Sequence, residues 1–332
     1  MDGIEPAADL VVHLPVSRRR SARRAGLGAA PGPARRADPR AASGAASGAA
    51  HGTARGAAPA PATGRRLIDH PGDVAAAAAS LATGALVGHP FANIYVLTTR
   101  PDAGTVRSVN LLAGRPPRQI GSVVSTPMRL PLLLDWTRLP LAAHQVLGLL
   151  DALLGLGPIG VRGPASPAVP SHLAQVQAGI PTVQVLSPGH ACPSTDFLAR
   201  ALHAAGSDLL AVTATGRGGQ PAVAGEEPAH WRAAGLRADF GDVPDFLLLE
   251  HRDERQAQER YPAFAPVAPT VLSLPTVLSA GTGRRPRLVL ERHGSLPADR
   301  AREVVDGFGF DLALRGHAWQ PLSPRHYGAV GA

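Results

Sequence analysis

The chain has 332 residues, of which 45% are hydrophobic, enough to build one large domain or two ordinary ones. Its formal charge of +8 rests on arginine alone, because no lysine occurs; a phosphate loop of the Gly-x-x-x-x-Gly-Lys type is thereby excluded. Cys192 is the single cysteine, which excludes an intramolecular disulfide and a cysteine-based zinc cage, and no apolar run reaches the roughly 18–20 residues of a membrane helix.

The charge is unevenly placed. Residues 1–66 hold 11 arginines against Asp2, Glu5, Asp9 and Asp38, so the rest of the chain is close to neutral. From Ser17 onward this stretch is Ala, Gly, Pro, Ser and Arg, with repeats such as AASGAASGAAHG. It has too few large apolar side chains to offset backbone ordering at roughly 1–2 kcal/mol per residue, and 1–66 reads as a disordered tail. Such a tail suits an arm on nucleic acid phosphates, a transit peptide, or no function at all. The run LVVHLPV is short for a signal-peptide core and precedes the arginine cluster instead of following it. A soluble, cytoplasmic protein without a membrane partner is expected; nothing in the sequence signals an oligomeric state.

Order is expected from Leu67. DHPGDVAAAAASLATGA predicts a helix stopped at Gly84, and ALVGHP and NIYVLTT predict strands. AGTVRSVNLLAG reads as a helix stopped at Gly114, IGSVVST as a strand, and PLAAHQVLGLLDALLGLG as the clearest helix in the chain. PIGVRGPA and PTVQVLSPG read as strands, STDFLARALHAAG as an amphipathic helix, and SDLLAVTATG as a buried strand entering a glycine-rich turn. DFLLLEH, APTVLSLPTVL and RPRLVLERHG supply further strands before a final helix in PADRAREVVDGFG. The alternation predicts one α/β domain over 67–332, with 220–243 as an irregular insertion over one face.

Local motifs are weak. TGRGGQP, Thr215 to Pro221, follows an apolar strand and has the makings of an anion nest with Arg217, although a plain glycine turn explains it as well. In SPGHACPSTD, His190 and Cys192 are two residues apart in one loop, which does not set a nucleophile against a base; Cys192 reads as a buried, inert thiol. His89, His144, His251 and His293 lack ligand spacing and read as surface or satisfied core histidines.

The order of elements says more. From Leu67 to Gly294 it resembles the YrdC-like family, the threonylcarbamoyl-AMP synthases of tRNA modification. Pro90-Phe91-Ala92-Asn93-Ile94-Tyr95 stands for the family's Pro-Thr opening turn with its aromatic, Phe91 taking the place of threonine and Val96 of glycine. Ala113-Gly114-Arg115-Pro116 stands for Lys-x-Arg-Pro, with Ala113 in place of lysine. Leu156-Gly157-Pro158 matches the family's Pro-Gly-Pro in part, and Val183-Gln184-Val185-Leu186 stands for Val-x-Val-Arg, with Leu186 in place of arginine. Thr213, Thr215 and Arg217 occupy the serine, asparagine and second serine of a later loop; Pro269-Thr270-Val271 and Arg292-His293-Gly294 match the closing strands.

The resemblance implies a single α/β domain, a twisted mixed sheet flanked by helices around a concave cavity. It also implies carboxylation and adenylation of threonine with ATP and magnesium, and affinity for a nucleotide or double-stranded RNA. The binding residues it implies are Tyr95, Arg115, Arg118, Thr213, Thr215, Arg217, Thr270 and Arg292. Residues that shape the fold are kept while polar groups of the site are replaced, so a binding protein with a degraded catalytic site is expected. The alternatives are an active synthase in which Arg118, Arg162 or Arg217 compensates, and a structural or interaction protein of the same fold class.

Overall fold

The computed structural model describes residues 64–214, 216–217, 229–275, 285–325 and 327. The expected tail, 1–66, lies outside the described residues except for its last three. Of these, Arg66 already belongs to the sheet, and Arg65 Nε donates to Glu250 at 2.9 Å.

A two-residue strand, β1 (Arg66–Leu67), leads into α1 (Pro71–Ala82). His70 caps this helix by accepting from the Asp73 N–H, Pro71 presets its first turn, and Val74, Ala77, Ala78 and Leu81 recur at helical spacing and are buried. β2 (Leu86–Phe91) and β3 (Ile94–Thr99) form a hairpin whose turn holds Ala92 at φ +54°. Then come α2 (Ala103–Leu112), capped by Asp102, and β4 (Ser122–Val124). α3 (Ala143–Leu156), the predicted long helix, precedes β5 (Ile159–Pro164), β6 (Gln175–Gln177) and β7 (Ile180–Ser187). α4 (Ser194–Ala205) ends at Gly206 in the left-handed conformation and is followed by β8 (Leu210–Thr213). The last elements are α5 (Ala233–Phe240), β9 (Phe246–Glu250), α6 (Glu254–Arg260), β10 (Val271–Ser273), β11 (Arg287–Arg292), α7 (Ala298–Gly307) and β12 (Asp311–Leu314).

These strands form one mixed sheet in the order β1-β9-β2-β3-β8-β4-β7-β5-β10-β11-β12, with β6 paired to β7. α1 and α4 cover one face of its first half, where Val87, Phe91, Leu198 and Leu202 pack together. α5 covers the other face, burying Leu236 and Phe240 against Leu86 and Leu97. This is the period-two alternation of a strand covered on both sides: consecutive Leu86 and Val87 enter different cores. α3 and α7 cover the second half, with Leu149, Leu153 and Val305 against Val161, Val185 and Leu290.

The structure corrects the reading of 220–243 as irregular over part of its length. Residues 220–228 lie outside the described residues, but 233–240 is α5, with Ala233, Leu236 and Phe240 buried at spacings of three and four. Gly235 and Gly241 within a polar neighbourhood conceal that short stripe. Four other elements, β1, α6, β6 and β12, go beyond the sequence reading. α6 is set by its cap, Asp253 accepting from the Arg255 and Gln256 N–H groups, with Ala257 its one buried residue.

Candidate functional site

The corner after α2 is built by caps and prolines. Ala113 ends the helix, Gly114 turns at φ +65°, and the Arg115 N–H returns to the Asn110 carbonyl at 2.8 Å. Asn110 is buried, and its side-chain amide donates to the Gln119 carbonyl at 2.9 Å, pinning the chain beyond Pro116 and Pro117. The half-buried Arg115 is thereby held at the wall of a cavity of about 220 Å³, together with Arg162, Gln175, Gln184, Thr213 and Arg292.

The floor of this cavity is a hydrogen-bonded network on adjacent strands. β5 and β7 set Arg162 opposite Gln184, and the Arg162 Nη2 donates to Gln184 Oε1 at 2.5 Å. Gln184 in turn donates to Ser122 Oγ on β4 at 2.6 Å. The other donors of Arg162 go to Glu291 Oε2 at 2.6 Å and Gln175 Oε1 at 3.2 Å, so the fork is spread over three acceptors. Arg292 extends from β11, its Nε donating to the Pro269 carbonyl at 2.9 Å. Thr213 Oγ1 lines the same space and is buried with no hydrogen-bond partner among the described residues. Among the described residues the cavity thus gathers three guanidinium groups, with one nearby carboxylate, Glu291, bound to Arg162.

Of the eight residues expected in the site, Arg115, Thr213 and Arg292 meet in this cavity and Thr215 lies outside the described residues. The other four sit elsewhere. Tyr95 is buried in β3; its hydroxyl donates to Glu254 Oε1 at 2.9 Å and accepts from the His251 N–H at 3.2 Å. Burial and the Glu254 carboxylate push its phenol pKa well above the usual value, so it remains a neutral donor that ties α6 to the sheet. Thr270 is fully buried, donating to the Leu296 carbonyl at 2.7 Å and accepting from the Gly294 and Leu296 N–H groups at 3.0 Å, a purely internal staple. Arg217 is exposed and points to acids of the α5 end: its N–H donates to Asp239 and its guanidinium to Asp242. Arg118 is exposed in a separate groove beside α2.

Ser122, Gln175, Thr182 and Gln184 line the cavity without having been expected there, whereas Arg162 was weighed as a compensating cation. Their signal is a polar residue inside an otherwise apolar strand, as in PTVQVLS and PIGVRGPA. Where the family pattern places cations, Ala113 is completely buried and Leu186 adds an apolar patch to the cavity wall. Cys192 is buried as expected. His89 is a satisfied core histidine, bonded to the Pro90 carbonyl and to Thr98 Oγ1 at 2.8 Å each, and His293 accepts from the Ala298 N–H at the start of α7. Among the described residues no cluster of three metal-ligating side chains occurs, and no helix is long and apolar enough to cross a membrane.

The same arrangement of sheet and helices occurs in solved proteins. A two-site variant of Sua5 from P. abyssi superposes with a TM-score of 0.50, at 18% identity, over 73% of this chain and 58% of that one. A hypothetical protein, smu.1377c from Streptococcus mutans UA159, superposes with a TM-score of 0.50, at 12% identity, over 71% of this chain and 93% of that one. The fold is YrdC-like. At these identities the likeness is one of fold, and the chain spans little more than half the length of the Sua5 protein. No family model matches the chain, and no curated protein matches it by sequence. Within the YrdC-like domain, the cavity lies where β4, β7 and β5 run side by side at the middle of the sheet.

Proposed function

We propose that this YrdC-like protein binds the phosphate end of a nucleotide in the cavity floored by Arg162, and that it has lost threonylcarbamoyl-AMP synthesis. The observation that carries the reading is the convergence of Arg115, Arg162 and Arg292 on one polar cavity whose Thr213 hydroxyl has no partner among the described residues. A buried hydroxyl without a partner costs about 1–3 kcal/mol, which an anionic oxygen in the cavity would recover. The 220 Å³ space suits a phosphate group and not a duplex, which favours a nucleotide over double-stranded RNA.

Loss of catalysis follows from what fills the remaining positions. Stabilising charge that develops in a transition state is worth about 10²–10³ in rate per donor, and the positions of two family cations hold Ala113 and Leu186. Arg162 does not replace them as a free cation, being held by Glu291 and two glutamines. The lining described has no carboxylate of its own, so these residues do not fit a protein-held magnesium ion; magnesium would enter only as part of a nucleotide complex.

Calorimetry with ATP and with inorganic tripolyphosphate tests binding. Arg115→Ala is expected to weaken both by about tenfold, in line with the roughly 1.5–3 kcal/mol of a charge-assisted hydrogen bond. Pyrophosphate release from ATP with threonine, bicarbonate and magnesium tests the chemistry, and it is expected to stay at background. Turnover dependent on threonine would overturn the degraded site and restore the synthase reading.

A further inference from the structure

The sheet ends differently on its two sides. One side closes with β1, only two residues long; the other closes with β12 (Asp311–Leu314), which pairs with β11 in parallel and has no neighbour beyond it among the described residues. Two backbone bonds fix which way β12 faces. The Asp311 N–H donates to the Pro286 carbonyl at 2.9 Å and the Arg315 N–H to the Leu290 carbonyl at 3.2 Å, so alternate residues 311, 313 and 315 turn their backbone groups toward β11. The N–H and C=O groups of Leu312 and Leu314 therefore point outward, along an edge with neither a proline nor a bulge to blunt it.

The side chains along that edge match one another in reverse. Asp311 and Arg315 make no side-chain hydrogen bond or ion pair among the described residues. Four positions apart on a strand, they are about 13 Å from each other, too far to pair within one chain. Leu312 and Leu314 pack against the core under α3 and α7 but stay only half-buried. Gly316, at φ +52°, turns the chain away after Arg315, and the short 3-10 turn Gly316–Trp319 ends on a tryptophan that is 71% exposed. An exposed tryptophan beside an open strand is the side-chain type that interfaces favour. Read against itself, Asp-Leu-Ala-Leu-Arg sets acid against base, leucine against leucine and alanine against alanine.

We infer that the open edge of β12 pairs with the same edge of a second copy of this chain, antiparallel, about a two-fold axis at Ala313. Asp311 then lies opposite the partner's Arg315, Leu312 opposite the partner's Leu314, and Ala313 opposite the partner's Ala313. The backbone agrees with this register: Ala313 is turned toward β11 and forms a non-hydrogen-bonded pair on the axis, while each pair of leucines exchanges both its N–H···O bonds. Sliding one copy by two residues still sets outward groups against outward groups but leaves the charges unmatched, so Asp311 and Arg315 select the register. Two-fold symmetry makes every contact off the axis occur twice. So short an edge forms a weak interface, with a dissociation constant on the order of 10–100 μM. It lies at the end of the sheet, away from the cavity at β4, β7 and β5, and stands whether or not that cavity takes a nucleotide.

Sedimentation equilibrium of the full chain tests the pairing, and over roughly 1–500 μM a monomer should pass into a dimer. Asp311→Arg and Arg315→Asp, made singly, each set like charges opposite one another twice per dimer, and each should weaken association by about tenfold or more. Neither residue has a partner within its own chain, so the urea midpoint of the dilute monomer should stay at the wild-type value in both variants. The double variant exchanges the two signs and should regain wild-type association. Mixed in equal amounts, the two single variants should form a heterodimer at concentrations where neither pairs with itself. A chain that stays monomeric over the whole range, an association indifferent to both reversals, or a double variant that associates no better than the single ones would overturn the edge pairing.

Discussion

Arg162 and Arg217 each hold a carboxylate, yet they belong to different kinds of structure. Arg162 rises from the middle of β5, is 15% exposed, and is fixed by Glu291, Gln175 and Gln184 on three other strands. Arg217 sits in a loop beyond β8, is 45% exposed, and pairs with Asp242, itself 65% exposed. The first is positioned by partners that the sheet already holds in place. The guanidinium of the second pairs with one water-facing acid that competes with solvent, and such pairs contribute little. Between two arginines of equal charge, the strand register decides which one is held in place at the cavity.

If that contrast is right, the largest effects should come from the tightly packed strands of the sheet. Gly294 closes the Arg292-His293-Gly294 stretch, and a Cβ there would overlap the Ala268 carbonyl oxygen and approach the Pro269 carbonyl carbon to 2.6 Å. Both are backbone atoms, which cannot rotate away. Gly294→Ala is therefore expected to cost about 3 kcal/mol, the upper end for overpacking, read as a fall in the urea midpoint; an unchanged midpoint would show that the backbone at Ala268 and Pro269 gives way. Arg162→Ala comes next. It leaves Glu291, 18% exposed, without its cation and strips two glutamines of their donor, a loss on the order of 3 kcal/mol for a broken, mostly buried pair. Arg162→Met with Glu291→Leu should recover most of that stability while abolishing binding of tripolyphosphate, which would separate the structural from the binding role of the pair.

The fold was legible because its signals are local. Pro71, Gly114 and Gly206 mark helix ends, and β-branched runs mark β3, β7 and β8. Of the residues expected in the candidate site, Arg115, Thr213 and Arg292 meet in one cavity, and Arg115 is fixed there by residues close to it in sequence. The floor was hidden because Ser122, Arg162, Gln175 and Gln184 meet through strand pairing, and no spacing along the chain reports the order β4-β7-β5. Tyr95 and Thr270 lie away from the cavity. They do occupy the expected strands, but their hydroxyls are consumed by Glu254 and Leu296 inside the protein.

Acid sharpens the distinction between buried and exposed groups. Burial pushes the His89 imidazole down from 6.5 to about 4, and burial also lowers His230 and His251. Between these pH values the unfolded chain binds protons that the folded chain refuses, so stability is complete above about 6.5 and declines as pH falls toward 4. One such group gives a slope of about 1.4 kcal/mol per pH unit in that window. Urea midpoints measured across it should fall steadily, and His89→Gln should flatten the slope even though it lowers stability at neutral pH. A midpoint independent of pH would mean that the His89 pocket admits water or a proton without unfolding.

The smallest effect is expected at Arg217. Its guanidinium raises no barrier to solvent, and hydrogen bonding to Asp242 only exchanges one exposed contact for another: the same contact lowers the Asp242 pKa and raises that of Arg217, as any paired surface acid and base would show. Its N–H donates to Asp239 whatever its side chain is, and alanine at this position keeps that bond. Arg217→Ala should therefore leave both the urea midpoint and the affinity for ATP within error of wild type. A loss of ATP affinity as large as that of Arg115→Ala would place Arg217 inside the binding site, and the contrast with Arg162 would have to be drawn again.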